Sequence, residues 1–363
     1  MKINLIIFLS EFNLGGAGNS LFKLCKKLSK KKFCISVICL NKCYYKKELL
    51  RIGISVYEIN SSKTLFAMPK IKKLLIKLID YNKKNIFLSN IYYSNILSIL
   101  FLKSLKIKLI IVERTPFQEL SIYYGIIDFL KKQIIKILIR YTYFKADYCI
   151  SNSKYISNAY NNYYNLKFKT IYPPSFRKFN KFIKRKKLNS NICMGTVCRL
   201  SKEKRIDNLI KIFSRFKYNF SFKIVGNGPE LENLKKLTKS LNLEKKITFK
   251  GKVPPEKIKF EIKNFDYFIN SSDFEGFPNS VVEALSLGIP VIASQSHGGI
   301  NEIIKNKNFG FIYNNNTELE IILLKILKNK LKFKNNRNLI NRHLQNFSES
   351  INVKKYSKVF FKI

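Results

Sequence analysis

Apolar positions along the chain follow two alternating rhythms. Short runs rich in Ile, Val, Leu and Phe read as strands buried on both faces. Longer stretches with apolar residues every three or four positions read as helices. In the first half the strands fall at residues 2–9, 33–40, 55–58, 85–88, 108–112, 147–150 and 169–172. The rhythm restarts near residue 190, with strands at 192–197, 222–225, 247–249, 267–270, 290–293 and 310–312. Helices are expected between them, at 17–30, 121–143, 205–216 and 229–241 among others. This alternation specifies an α/β fold of two parallel-sheet domains with helices on both faces. The segment 173–191 has turn formers and charge but no apolar period: Pro173-Pro174, then Lys184-Arg185-Lys186-Lys187, then Asn189-Ser190-Asn191. The expected organisation is a first domain over 1–175, a linker over 176–191, a second domain over 192–340 and a closing helix over 341–363. Two such domains would face across a cleft, with ligands outside the carboxyl ends of the strands.

Two helical stretches of the first half carry a second pattern. In 121–145, Lys131, Lys132, Lys136 and Arg140 recur at helical spacing opposite Ile127, Leu130, Ile134 and Leu138. The stretch 69–84 sets Lys70, Lys73 and Lys77 against Leu74, Leu75 and Leu78. A core-facing stripe with a solvated back explains both, and so does a basic surface resting on anionic lipid. Both readings stay open on the sequence.

Composition narrows the class. With 363 residues, 46% of them hydrophobic and 30 Phe and 20 Tyr among them, the chain can bury two cores, which excludes disorder. No run approaches the roughly 18 apolar residues of a membrane span. The apolar start from Ile3 to Leu9 is short and followed by Glu11 and a glycine-rich loop, so it reads as a strand, and a cytoplasmic protein is expected. A net charge of +45 would attract nucleic acid or anionic lipid. Yet the chain has no Trp, few Gly and Pro, and an excess of Lys, Ile, Asn, Phe and Tyr, the signature of A/T-rich codons that add Lys everywhere. Charge alone names no partner, and with no nucleic-acid recognition module in the sequence, nucleic acid is not expected as one. Seven Cys without a C-x-x-C pair, and only His297 and His343 as co-ligands, argue against a zinc site or disulfide framework.

The polar residues at strand ends are candidates for chemistry. Gly15 and Gly16 lie between a strand and a helix, where glycines let backbone N–H groups approach a phosphate, although such turns also carry glycine for conformational reasons. Arg199 and Lys204 frame the loop after the first strand of the second half, a fork and a point charge suited to a departing diphosphate. Gly226, Asn227 and Gly228 end the next strand and fit either a turn or a close approach to a base or ribose. In the run Glu275-Gly276-Phe277-Pro278-Asn279-Ser280, followed by Glu283, Ser280 and Glu283 have capping-box spacing. The two carboxylates flank N–H donors from Gly276 to Ser280, an arrangement suited to a polyol ligand.

Together these residues resemble the GT-B retaining glycosyltransferases, in particular family 4, and among them the bacterial envelope-polysaccharide enzymes. The motif Glu275-x7-Glu283 carries the resemblance, supported by GTVCRLSKEK, IVGNGP and HGGINEII in order over about residues 192–313. The first half matches more loosely, through Gly15-Gly16, Ile150-Ser151-Asn152-Ser153 and Ile171-Tyr172-Pro173-Pro174. The resemblance implies two Rossmann-like domains and a nucleotide-diphosphate sugar as donor, with no metal or other cofactor. It implies a saccharide or lipid-linked saccharide acceptor, with an anionic membrane surface as a further partner. By it, Arg199 and Lys204 bind the diphosphate, Glu283 the ribose and Glu275 the transferred sugar. Gly16 closes over the phosphates, and the last helix returns to the first domain. The first half has no His where many relatives place one near the reacting centre; Glu113-Arg114-Thr115 takes that strand end and is expected to face the sugar or acceptor. An inverting transfer with Glu113 or Glu119 as base, and an epimerase on the same scaffold, are the alternatives.

Overall fold

The computed structural model describes residues 2–123, 125–177, 191–331, 333 and 336–363. The chain divides into two compact units, Met1–Ser175 with Phe347–Ile363, and Phe176–Asn346. The linker expected over 176–191 lies almost wholly outside the described residues.

In the first unit the strands are β1 (Ile3–Phe8), β2 (Phe33–Cys39), β3 (Ser55–Glu58), β4 (Lys84–Asn90), β5 (Lys108–Glu113), β6 (Tyr148–Ser151) and β7 (Phe168–Thr170). They form one parallel sheet in the order β3-β2-β1-β4-β5-β6-β7. The intervening helices are α1 (Gly16–Lys27), α2 (Lys46–Arg51), α3 (Thr64–Leu78), α4 (Tyr92–Leu102), α5 (Ile126–Thr142) and α6 (Lys154–Tyr164). Every residue of β1 is buried, as a central strand covered on both sides requires. One core joins β1 and β2 to α1, around Leu5, Ile7, Leu21 and Leu24. The other joins the opposite face to α3, α4 and α5, around Ile6, Phe87, Ile71, Ile99 and Ile139.

The second unit holds β8 (Ile192–Val197), β9 (Phe220–Val225), β10 (Ile247–Gly251), β11 (Tyr267–Asn270), β12 (Phe274–Glu275), β13 (Val291–Ser294), β14 (His297–Gly298) and β15 (Gly310–Tyr313). Six of them make a parallel sheet in the order β10-β9-β8-β11-β13-β15, while β12 and β14 pair separately. Its helices are α7 (Ile206–Phe213), α8 (Leu231–Ser240), α9 (Pro255–Lys263), α10 (Asn279–Ser286), α11 (Ile300–Ile303), α12 (Asn316–Leu327) and α13 (Arg337–Leu344). The last helix, α14 (Glu349–Lys362), belongs to the first unit, where Val353, Tyr356 and Phe360 join the core beside α1. Ser175 and Phe347 meet there, the Ser175 N–H donating to the Phe347 carbonyl at 3.1 Å.

Two elements differ from the sequence expectation. α3 begins at Thr64 and carries Pro69 inside it, rather than starting at the proline. It stops at Leu78 because the Asn85 side chain takes over the next backbone groups, accepting the Asp80 N–H at 3.0 Å and donating to the Asp80 carbonyl at 2.9 Å. α5 starts at Ile126, after a separate 3₁₀ turn at Phe117–Ser121.

Candidate active site

β8 and β11 are neighbours in the second sheet, and the strands that follow each of them lie on opposite sides. That is a topological switch point, and loops leaving its carboxyl edge form the ligand crevice of an α/β sheet. After β8 the chain passes exposed Arg199 and buried Leu200 into a 3₁₀ turn at Lys202–Lys204. Leu200 fixes this loop through its backbone: its N–H donates to the Asn227 carbonyl at 3.1 Å and its carbonyl accepts from Glu230 at 3.0 Å. The seam needs glycine on the other side. Gly226 has φ +141°, and a Cβ there would stand 1.8 Å from the Cys198 carbonyl oxygen; one on Gly228 would stand 2.2 Å from that of Leu200. Asn227 turns back into its own loop, its Oδ1 accepting the Gly228 N–H at 2.7 Å.

The loop after β11 clasps the loop after β8. The Ser271 hydroxyl donates to the Lys204 carbonyl at 2.6 Å, and the Asp273 N–H to the Glu203 carbonyl at 2.8 Å. These contacts bring Lys204 Nζ to 2.6 Å from Glu275 Oε1, across 71 residues of sequence. The Ser272 hydroxyl donates to the same oxygen at 3.1 Å, while Glu275 Oε2 accepts nothing from the described residues. Burial alone would lower the Lys204 pKa, but the attraction and hydrogen bond of Glu275 outweigh it and hold the ammonium above its ordinary value. Arg199, by contrast, is exposed and makes no side-chain hydrogen bond or ion pair with any described residue. One cation is locked to the carboxylate and the other keeps all its donors.

Glu275 is set in place by the pairing of β12 with β14, which aligns it with Gly298. Gly276, Phe277 and Pro278 follow, and α10 opens at Asn279. This corrects the capping box expected at Ser280 and Glu283. The Pro278 carbonyl already accepts the Val281 N–H at 3.1 Å, so the first turn starts early and Ser280 stands inside it. Pro278 at the N-cap supplies no side-chain cap, and the N-terminal amides of the helix carry a partial positive charge. Glu283 stands half-buried on the second turn, eight positions beyond Glu275.

In the first unit Gly15 occupies the N-cap position of α1 and Gly16 its first turn, both exposed and without a side-chain cap. Glu113 is a correction. It is 0% exposed and faces the helix layer instead of solvent, because alternate residues of a strand point to opposite faces. Its carboxyl accepts hydrogen bonds from Asn95 Nδ2 at 2.7 Å and from the Tyr143 hydroxyl. Burial pushes its pKa up to about 8 in spite of both bonds. Arg114, the next residue, is half-buried, with Nε donating to Asn90 Oδ1 at 2.9 Å and no carboxylate partner among the described residues. Asn90, Asn95 and Tyr143 went unmarked in the sequence reading. The signal for Asn90 was its place at a strand end; nothing local marked the other two. Ile91 between them holds φ +74°, a conformation a β-branched residue rarely adopts.

His297 lies on β14, in register with Phe274 of β12, while His343 lies on α13. His297 is exposed with its backbone N–H on the Asp273 carbonyl, and His343 Nε2 lies 3.0 Å from the Glu302 carbonyl. Among the described residues no three His, Cys, Asp or Glu stand close enough to hold a metal ion.

Two family models match the chain, Glycosyltransferase Family 4 over residues 14–174 and Glycosyl transferases group 1 over residues 177–345. An uncharacterized glycosyltransferase of Haemophilus influenzae is 30% identical over 161 residues, 43% of this chain and 45% of the relative. The lipopolysaccharide 1,6-galactosyltransferase of Escherichia coli is 31% identical over 113 residues, 31% of this chain and 32% of the relative. The matched segments thus span less than half the length of these relatives. Among solved structures, Anabaena HepE in complex with UDP-glucose superposes with a TM-score of 0.81 at 18% identity, over 99% of this chain and 100% of the other. At that identity the likeness establishes the fold, GT-B.

Proposed function

This chain belongs to the GT-B glycosyltransferases, a family 4 domain followed by a group 1 domain, and from that premise we propose that it transfers a sugar from a nucleotide-diphosphate donor to a saccharide acceptor with retention of configuration. The observation that carries the proposal is the Lys204–Glu275 pair at 2.6 Å, built at the switch point of the second sheet beside an Arg199 that keeps its donors.

In this reading Arg199 and Lys204 neutralise the diphosphate as the bond to the anomeric carbon breaks, which takes the place of a metal ion. The open oxygen of Glu275 receives a sugar hydroxyl, and Glu283 the ribose hydroxyls. The N-terminus of α10, formed by Asn279 and Ser280 after Gly276, Phe277 and Pro278, orients the donor. Gly226, Asn227 and Gly228 hold the loop against Leu200, and the exposed Gly15 and Gly16 at the start of α1 are the first unit's own phosphate-binding candidates. The acceptor hydroxyl attacks the anomeric carbon from the face the diphosphate leaves. Its proton passes to the departing phosphate oxygen, giving the glycoside and the nucleoside diphosphate. Retention is supported by the burial of Glu113, one of the two acids an inverting route could use as base, between Asn95 and Tyr143, which leaves that route only half-buried Glu119. Arg114, with its guanidinium held by Asn90, is assigned to the acceptor side. A lipid-linked acceptor in lipopolysaccharide or surface-polysaccharide assembly, met at the cytoplasmic face of a membrane, fits the relatives and the basic, apolar first unit.

Thermal shift with a panel of nucleoside diphosphates and their sugars, with and without magnesium, tests the donor site. A ligand at about 100 times its Kd stabilises the fold by about 2.7 kcal/mol. One nucleotide is expected to shift Tm without metal, and Glu283→Ala to abolish the shift. No shift with any of them overturns the donor assignment. The anomeric configuration of the product separates retention from inversion, and donor turnover without acceptor would mark an epimerase.

A further inference from the structure

α5 is built the wrong way round for a solvated helix. It buries Lys132, whose ammonium is satisfied by Asp128 at 2.8 Å and by the Ile122 carbonyl. At the same time it exposes Ile126 (79%), Ile127 (85%), Leu130 (55%), Ile134 (57%) and Ile137 (55%). The neighbouring helices continue the apolar surface with Leu65 and Phe66 on α3 and Leu100 on α4, all exposed. Between α3, α4 and α5 this surface opens into a cavity of about 580 Å³. Ile127, Leu130 and Ile134 edge it, Ile96, Leu97 and Ile135 line it deeper, and Lys131 is the one charged residue of its wall among the described residues. An exposed apolar surface of this extent marks a docking site.

Charge identifies what docks. The same helices present Lys70, Lys73, Lys77, Lys131 and Arg140, all exposed. The acids of this face are spoken for: Asp128 pairs with Lys132, Asp80 with Lys83, Glu119 is hydrogen-bonded with Tyr92, and Glu113 is buried. A second copy of the chain would bring the same cations against these, at a net charge of +45 each. An anionic lipid surface offers both complements, hydrocarbon for the isoleucines and phosphate for the lysines. We propose that the α3–α4–α5 face docks on an anionic phospholipid bilayer, with Ile127, Leu130 and Ile134 below the headgroups and an acyl chain in the cavity they edge. This deepens the membrane location proposed above, but it is tested without donor, acceptor or turnover, so it stands or falls apart from the transferase reading.

The chain has no Trp, so Ile127→Trp supplies a single fluorescent reporter. With full-length protein and vesicles of phosphatidylglycerol and phosphatidylcholine, its emission is expected to shift to the blue and to be quenched by lipids brominated on their acyl chains. Pure phosphatidylcholine vesicles are expected to give little of either. In sedimentation with the mixed vesicles, Ile127→Asp combined with Ile134→Asp should weaken binding at least tenfold. Phe260→Asp, at an exposed apolar site of the second unit, should leave binding unchanged. Both sites of the double variant are exposed, so its Tm should stay that of the wild type. Unshifted, unquenched emission, or a double variant that sediments like the wild type, overturns the proposal in favour of simple charge attraction. A concentration-dependent dimer without lipid, abolished by Ile134→Asp, overturns it in favour of a second copy.

Discussion

Arg199 and Lys204 are both cations of the loop after β8, yet their surroundings predict different losses. Arg199 is exposed and its side chain has no partner among the described residues, so Arg199→Ala should leave Tm unchanged while lowering kcat by about 10²–10³, the usual loss for one electrostatic stabiliser. Lys204 is largely buried against Glu275, and its removal leaves that carboxylate with Ser272 alone. Lys204→Ala should therefore lower Tm as well as activity, since an uncompensated buried charge is costly. Thermal denaturation alongside steady-state kinetics separates the two. Glu113 makes a third residue-scale prediction. Its pKa rises from the ordinary carboxylate range to about 8 on folding, so between those values the native state holds a proton the unfolded chain has lost. The stability it contributes is complete at low pH and declines as pH climbs toward 8. Glu113→Gln should remove that decline, visible as a flatter plot of Tm against pH from about 5 to about 8. A mutant with the wild-type slope would show that another group titrates.

At the scale of elements, the Glu275 carboxylate of the proposed donor site depends on a strand pair only two residues long. β12 meets β14 so closely that a Cβ on Gly298, at φ +143°, would stand 1.5 Å from the Glu275 carbonyl oxygen. Gly298→Ala should push β12 away, costing more than about 1 kcal/mol of stability because the native φ suits only glycine. It should also weaken donor binding by displacing Glu275 from Lys204; calorimetric titration with the donor nucleotide reads that loss. The neighbouring helix shows what local sequence misses. Ser280 and Glu283 have the spacing of a capping box, but the Pro278 carbonyl starts α10 early, and the spacing is left inside the helix.

Across the whole molecule, +45 charges on 363 residues act on stability as well as on partners. Like charges within about 10 Å repel one another at low salt and are screened at high salt. Raising ionic strength from about 0.05 to about 0.5 M should therefore raise Tm, while weakening vesicle binding at the α3–α4–α5 face. A Tm that falls with salt would mean that the surface ion pairs, such as Lys103 and Lys108 with Asp147, outweigh the repulsion.

The sequence by itself determined the alternation of strands and helices, the restart near residue 190, the strand-end loop positions of Arg199 and Lys204, and the place of Glu275 just before the helix that carries Glu283. These follow from period and from turn chemistry, which are local properties of the chain. Tertiary structure decided what those residues touch. Lys204 meets Glu275 across 71 residues only because parallel strands β8 and β11 lie side by side and their loops clasp through Ser271 and Asp273. Glu113 turns into the core because Asn95 and Tyr143 are waiting for it there, two partners that nothing near residue 113 announces. In the same way, whether the stripe on α5 was core or surface depended on which of its sides the sheet covered. Packing buried Lys132 beside Ile135 and Ile139 and left Ile127, Leu130 and Ile134 outside, a choice that helical period alone does not make.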